Sequence, residues 1–89
     1  MIVHTVLFSE VRKIVGSKEI TIELKENATV EDALELLCYK YGQSFKNAVI
    51  DEEKSHYKVN FSVNSNMTFA NQVLEEGDTL KIFPVAGGG

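Results

Sequence analysis

Residues 29–42 read TVEDALELLCYKYG and predict the best-defined element of the chain. Counted from Val30, apolar positions recur at 0, 3, 4, 7, 8 and 11, which is the stripe of an amphipathic helix. Thr29 and Asp32 have the spacing of a capping box, and Gly42 is suited to end the helix. We expect one face of this helix to pack on a core through Val30, Ala33, Leu34, Leu37, Cys38 and Tyr41.

The segments before this helix predict two β-strands joined by a short helix. Residues 2–8 form a brief β-rich run, and residues 18–25 alternate between apolar and polar side chains. Between them, residues 9–16 predict a short helix that Ser9 caps and that Gly16 ends in the left-handed conformation.

The segments after the main helix predict two more strands. Residues 43–57 have the weakest pattern, and only a turn of helix and a charged loop are expected there. Residues 58–64 alternate again, and a turn and a crossing segment, residues 67–74, follow them. Residues 79–83 predict the last strand, which Pro84 ends because proline offers no ladder donor.

This order of elements predicts an α+β fold in which one main helix packs on one face of a mixed sheet. The first and last strands, placed side by side in the middle of that sheet, would complete a β-grasp. Sequence spacing alone leaves this pairing open. No linker or repeat divides the chain, so we expect residues 1–89 to form one domain with residues 84–89 as an extended tail.

Composition excludes several classes of function. The 89 residues carry nine Lys+Arg against 13 Asp+Glu, and the absence of a basic cluster argues against nucleic acid. No apolar run approaches the roughly 20 residues of a membrane span, and a single cysteine, Cys38, allows no internal disulfide. Because His4 and His56 are far apart, no metal site is expected. We expect a cytoplasmic protein without a membrane partner.

The C-terminal residues are the informative ones for function. Residues 84–89 read PVAGGG, which brings no side-chain charge and almost no side chains. Glycines, which lack Cβ atoms, can thread a narrow channel and adopt any φ. A carboxylate carried by Gly87, Gly88 and Gly89 can therefore enter another protein's active site. Chemistry there requires activation, for example as an acyl-adenylate, because carboxylates are poor electrophiles.

Several segments in order resemble one family across essentially the whole chain. The ending KIFPVAGG at residues 81–88 and the start VLFSEVRKIVG at residues 6–16 are similar to the sulfur-carrier subunit of molybdopterin synthase. Thr29-Val30, the KYG of residues 40–42 and the strand of residues 59–64 also fit. The resemblance implies a ubiquitin-like β-grasp, which agrees with the fold expected from the residues.

The resemblance also implies a mechanism and two partners. A ubiquitin-activating-like adenylyltransferase uses ATP to adenylate the terminal glycine carboxylate, and sulfur transfer then yields a thiocarboxylate. The tail enters the large subunit of molybdopterin synthase and gives its sulfur to the pterin precursor, which builds the dithiolene that holds molybdenum or tungsten. The chain itself binds no cofactor in this scheme and is inactive without the large subunit.

The tail departs from the family pattern at two places. The family has Phe-Pro-Pro where this chain has Phe83-Pro84, and the family ends at Gly-Gly where this chain has a third glycine, Gly89. An added residue moves the carboxylate about 3.3 Å further out. We expect the missing proline to shorten the tail by one residue and the third glycine to restore its reach; the alternative is that Gly89 is trimmed and Gly88 is the working terminus.

The same C-terminal region predicts a docking surface. Phe8 and Phe83 are expected on the outer side of the sheet, where adjacent aromatic residues make a plausible hot spot for a partner. Pro84, Val85 and Ala86 would continue this contact into the tail. The alternative is that both aromatic side chains fill the edge of the core.

Three other functions remain open at this stage. A ubiquitin-like modifier, joined to lysines of other proteins through its terminal glycine, would have the same fold and tail. The thiamine-pathway sulfur carrier is typically shorter, and the insert at residues 9–16 argues against it. A plain interaction module with an inert tail would be unaffected by removal of the last two glycines.

Overall fold

The computed structural model describes residues 1–85 and contains three helices and seven strands in that part of the chain. The helices are α1 (Ser9–Val15), α2 (Val30–Tyr41) and α3 (Gln43–Val49). The strands are β1 (Ile2–Leu7), β2 (Glu19–Glu23), β3 (Ile50–Asp51), β4 (His56–Tyr57), β5 (Val59–Val63), β6 (Asn66–Thr68) and β7 (Thr79–Pro84).

Five of these strands form one mixed sheet in the order β2-β1-β7-β5-β6. The two terminal strands, β1 and β7, lie side by side in the middle and run parallel, with Leu7 opposite Ile82. The other pairs in the sheet are antiparallel, and β3 and β4 form a separate small hairpin. This pairing confirms the ubiquitin-like β-grasp that the sequence left open.

The hydrophobic core lies between one face of the sheet and the helices. We call this the inner face, and alternate residues of each strand point into it. Leu80 and Ile82 of the central strand are fully buried there. Helix α2 covers the inner face as its apolar spacing predicted, because Val30, Ala33, Leu34 and Leu37 all belong to the same buried cluster.

The start of α2 confirms the predicted capping box. The backbone N–H of Thr29 donates to Asp32 Oδ2 at 2.8 Å, and the backbone N–H of Asp32 donates to Thr29 Oγ1 at 3.3 Å. Two of the donors that a helix start leaves unpaired are thereby satisfied. Gly42 ends the helix with a φ of 84°, and its N–H donates to the carbonyl of Cys38 at 2.8 Å.

The expectation that Ser9 caps α1 is wrong. Phe8 occupies the N-cap position, and no side chain makes a capping hydrogen bond there. Ser9 instead adopts a φ of 53°, in the left-handed region, so that the chain turns sharply from β1 into the helix. The predicted left-handed end of the same helix is confirmed at Gly16, where φ is 84°.

We expected Pro84 to be the first residue after the last strand, but it is the last residue of β7. It pairs with Val59 of β5. Strand residues face their two neighbouring strands alternately, and the carbonyl of Ile82 accepts from the N–H of Phe8 on the β1 side. Pro84 faces the same side, beyond the end of β1, so its missing donor removes no ladder hydrogen bond.

Candidate functional site

Strand β7 connects the rigid centre of the sheet to the C-terminal residues. β1 and β5 pair with residues 80–82 from both sides, and β5 alone pairs with Phe83 and Pro84. Pro84 and Val85, at its end, are exposed. The predicted tail residues Ala86, Gly87, Gly88 and Gly89 lie outside the described residues. The structure thus places the base of the tail on the best-supported strand of the sheet.

A polar cluster sets where β7 begins. The side-chain amide of Asn64 donates to Asp78 Oδ1 at 2.7 Å, and the backbone N–H of Thr79 donates to Asn64 Oδ1 at 2.9 Å. The second carboxylate oxygen of Asp78 accepts from the N–H of Glu75 at 2.8 Å. Because Asp78 is buried, these bonds also satisfy a charge that would otherwise be costly to bury. They hold the turn before β7 against the turn between β5 and β6.

Phe8 and Phe83 form one aromatic pair on the outer face, the side of the sheet opposite the helices. Their ring centroids are 6.2 Å apart and the planes meet at 86°, an edge-to-face arrangement. Both side chains are half-buried, and neither belongs to the buried core cluster. The structure therefore brings together the two aromatic residues that the sequence singled out, next to Pro84 and Val85.

The strand register extends this aromatic surface to residues that the sequence analysis missed. Asn60 pairs with Phe83, and continuing the β5–β6 register by one residue puts Phe69 opposite Asn60. Phe69 is 81% exposed, and Met67, in the neighbouring row, is 62% exposed. Single exposed apolar residues are ordinary, but several of them on one sheet face beside an aromatic pair are typical of a contact surface.

A signal for these residues was present in the sequence. The run Asn64-Ser65-Asn66 is typical of a turn, and the structure gives Asn64 and Ser65 the φ values of a tight hairpin turn, 50° and 72°. A strand returning from such a turn alternates its side chains, which puts Met67 and Phe69 on the same face. Because the sequence did not predict a strand at residues 66–68, it did not predict that Met67 and Phe69 share a face.

In the described part of the chain, the two histidines and the cysteine lie on separate elements. His4 lies exposed on β1, and His56 lies exposed on the separate β3–β4 hairpin. Cys38 is half-buried on α2, where burial raises the pKa of its thiol above the ordinary range, with Glu35 adding to the rise and Lys46 opposing it. Among residues 1–85, no group of three or more His, Cys, Asp or Glu side chains is arranged to hold a metal ion.

Comparison with models of protein families assigns this chain to a family. Residues 5–89 match the ThiS family. The chain belongs to the ThiS family of sulfur-carrier, ubiquitin-like proteins. A comparison with curated proteins gave no match. Within the described residues, none of the helices is long and apolar enough to cross a membrane.

Solved structures with similar sequences share the fold over nearly their whole length. A putative molybdopterin converting factor subunit 1 from Pyrococcus furiosus is 30% identical, with 94% of this chain and 97% of that one covered and a TM-score of 0.77. The small archaeal modifier protein 1 from Methanosarcina acetivorans is 25% identical, with coverages of 99% and 96% and a TM-score of 0.79. A chain of a BexX/CysO complex from Amycolatopsis orientalis is 27% identical, with 98% of this chain and 99% of that one covered and a TM-score of 0.71.

Proposed function

We propose that this ThiS-family protein is the sulfur-carrying small subunit of a molybdopterin synthase. The observation that carries the proposal is the 30% identity, over nearly the whole chain, to the putative molybdopterin converting factor subunit of Pyrococcus furiosus. The family match includes residues 84–89, the segment in which the carrier chemistry would take place. The aromatic pair of Phe8 and Phe83 at the base of this segment supports a partner that holds the tail.

The proposed chemistry has two stages. An oxygen of the terminal glycine carboxylate attacks the α-phosphorus of ATP on an adenylyltransferase, pyrophosphate leaves, and an acyl-adenylate forms. A sulfide-equivalent donor then attacks the carbonyl carbon and displaces AMP, which leaves a thiocarboxylate. Sulfur is a better nucleophile than the carboxylate oxygen it replaces, so the tail can deliver it to the pterin precursor.

The division of labour between the two subunits follows from the structure of this one. The described residues offer no cleft with a set of acid-base groups, and the large subunit would supply the pocket and those groups. The task of this chain is positioning, and misplacement of a reacting atom by about 1 Å can be costly. A tail that begins at the end of β7 starts from a well-defined point, because Pro84 still pairs with Val59 of β5 and Ile82 is paired on both sides.

Intact mass of the protein from its native cells tests the proposal. We expect a species in which sulfur replaces one oxygen on the terminal glycine, and we expect this species to form the dithiolene when mixed with the large subunit and precursor. Variants lacking Gly89, or both Gly88 and Gly89, are the matched controls. Full sulfur donation without Gly89 would refute the idea that the third glycine compensates for the missing proline.

A second function is favoured by the likeness to the Methanosarcina acetivorans modifier protein, at 25% identity over 99% of this chain. In that case the terminal glycine would form an isopeptide bond with lysines of other proteins. The same mass measurement separates the two functions. An unmodified carboxylate, together with glycine-tailed lysines on other proteins, would contradict the sulfur-carrier proposal and support the modifier.

A further inference from the structure

Lys81 occupies the centre of the outer face. Its Cα lies opposite Val6 of β1 on one side and opposite Ser62 of β5 on the other. Phe83 follows two residues later on the same face, at a distance of roughly 7 Å along the strand. In the described part of the chain, no other lysine or arginine lies on the outer face of the three central strands. Among the described residues, Lys81 is therefore the one Lys, Arg, Asp or Glu side chain on the outer face of these three strands.

In the described part of the chain, Lys81 forms no ion pair. Within residues 1–85, the one ion pair joins Lys46 to Glu52 at 3.5 Å, far along the chain from β7. Glu19 is the acidic residue in the same row, but Val6 of β1 lies between it and Lys81. Lys81 is half-buried, so its aliphatic stem lies against the sheet while the ammonium group reaches water.

Docking of a partner on the aromatic pair would remove the Lys81 ammonium group from water. An interface of ordinary size buries about 800 Å² on each partner, so a protein that covers Phe83 also covers Lys81. Removing an ammonium group from water is strongly unfavourable unless an opposite charge is placed against it. A partner with a purely apolar surface would therefore be rejected at this position.

We propose that the protein that docks on the outer face places an aspartate or glutamate over Lys81. The inference rests on the proposed function, because it takes the large synthase subunit as the occupant of this face. Lys81 then acts as a specificity residue. The aromatic pair supplies apolar contact that many surfaces can satisfy, and the buried ion pair selects the surface with a carboxylate in the right place.

Calorimetric titration of the full chain with the purified large subunit tests the inference, at low salt and at near-physiological salt. Lys81→Met keeps the length of the stem and removes the charge, and we expect about tenfold weaker binding. Lys81→Glu should weaken binding about 100-fold, and the affinity of Lys81→Met should depend less on salt than that of the wild type. Lys54→Met, in the turn of the β3–β4 hairpin, is the matched control and should bind within about twofold of the wild type.

Zero-length carbodiimide coupling gives an independent result, because it joins an amine to a carboxylate only when the two are in contact. We expect a cross-linked peptide containing Lys81 and an acidic residue of the large subunit. Thermal unfolding of each variant confirms that its fold is intact. Phe83→Ala is included as a test of docking itself.

The outcomes separate the two proposals. If Lys81→Met binds as tightly as the wild type with the same salt dependence, while Phe83→Ala binds weakly, the inference about Lys81 is overturned and the docking surface stands. If Phe83→Ala also binds like the wild type, or if the wild type does not bind the large subunit, the proposed docking fails and the inference fails with it.

Discussion

The two faces of β7 have opposite environments, although they alternate along the same six residues. On the inner face, Leu80 and Ile82 are completely buried against the helices. On the outer face, Lys81 and Phe83 are half-buried and neither belongs to the buried core cluster. Because burial of apolar area supplies most of the folding free energy, the inner residues determine stability. The outer residues can serve recognition at little cost to the fold.

The largest expected effect comes from breaking the inner face. Leu80→Ala removes a fully buried side chain and leaves a cavity, so we expect the free energy of unfolding to fall by about 3 kcal/mol. Urea denaturation followed by circular dichroism measures this. The part of the protein that remains folded should still bind the large subunit with unchanged affinity. The apparent affinity of the whole sample should fall only in proportion to the fraction of molecules that are folded. A greater fall would contradict the separation of the two faces.

The reciprocal change on the outer face should have the reverse effect. Phe83→Ala removes one ring of the edge-to-face pair, so we expect a loss of about 1 kcal/mol or less in the free energy of unfolding. Binding to the large subunit should weaken at least tenfold by titration, as expected for an aromatic hot spot. Equal losses of stability and binding would place Phe83 in the core, which is the alternative that the sequence allowed.

Thr5 is an exception on the inner face. Its side chain is fully buried on β1, and within residues 1–85 its Oγ1 has no hydrogen-bond partner. A buried hydroxyl without a partner is unfavourable, so Thr5→Val should raise the free energy of unfolding by about 1 kcal/mol. Thr5→Ser is the control, since it keeps the hydroxyl and loses the methyl group, and it should destabilise. A destabilised valine variant would indicate that the hydroxyl is hydrogen-bonded in solution.

The smallest expected effect is on helix α2, at the margin of the core, where Cys38 is only half-buried. Burial, as the main cause, raises the pKa of its thiol in the folded protein, so the folded state favours the protonated form. This contribution to stability is present below the pKa of an unfolded thiol, roughly 8.5, and is lost as the pH rises through the folded pKa. Unfolding free energies measured from pH 7 upward should fall more gently for Cys38→Ser. Parallel curves would contradict this prediction.

Local patterns account for the parts of the fold that the sequence predicted correctly. The capping box of Thr29 and Asp32, the apolar stripe of α2 and the alternation of β5 each depend on residues a few positions apart. The errors have the same origin. Ser9 is a common capping residue, but the crossing from β1 to α1 placed it in a left-handed turn instead. Short elements such as β6 and α3 carry too few residues for a clear period.

Only part of the candidate site could be predicted from local sequence patterns. Phe8, Phe83 and the glycine-rich ending were recognisable by composition and by resemblance. Met67 and Phe69 were not, because their meaning depends on β6 pairing with β5. Lys81 appeared as one charge among many. The structure added that, within residues 1–85, Lys81 forms no ion pair.

The sequence by itself determined the elements and the chemistry available to them: a capped amphipathic helix, alternating strands, and an uncharged ending with three glycines. These properties depend on near neighbours in the chain, and they can be recognised without a structure. Only the tertiary structure decided that β1 and β7, from opposite ends of the chain, run parallel in the middle of the sheet. That register aligns Phe8 with Phe83 and centres Lys81, because backbone hydrogen bonds between distant strands set which side chains become neighbours.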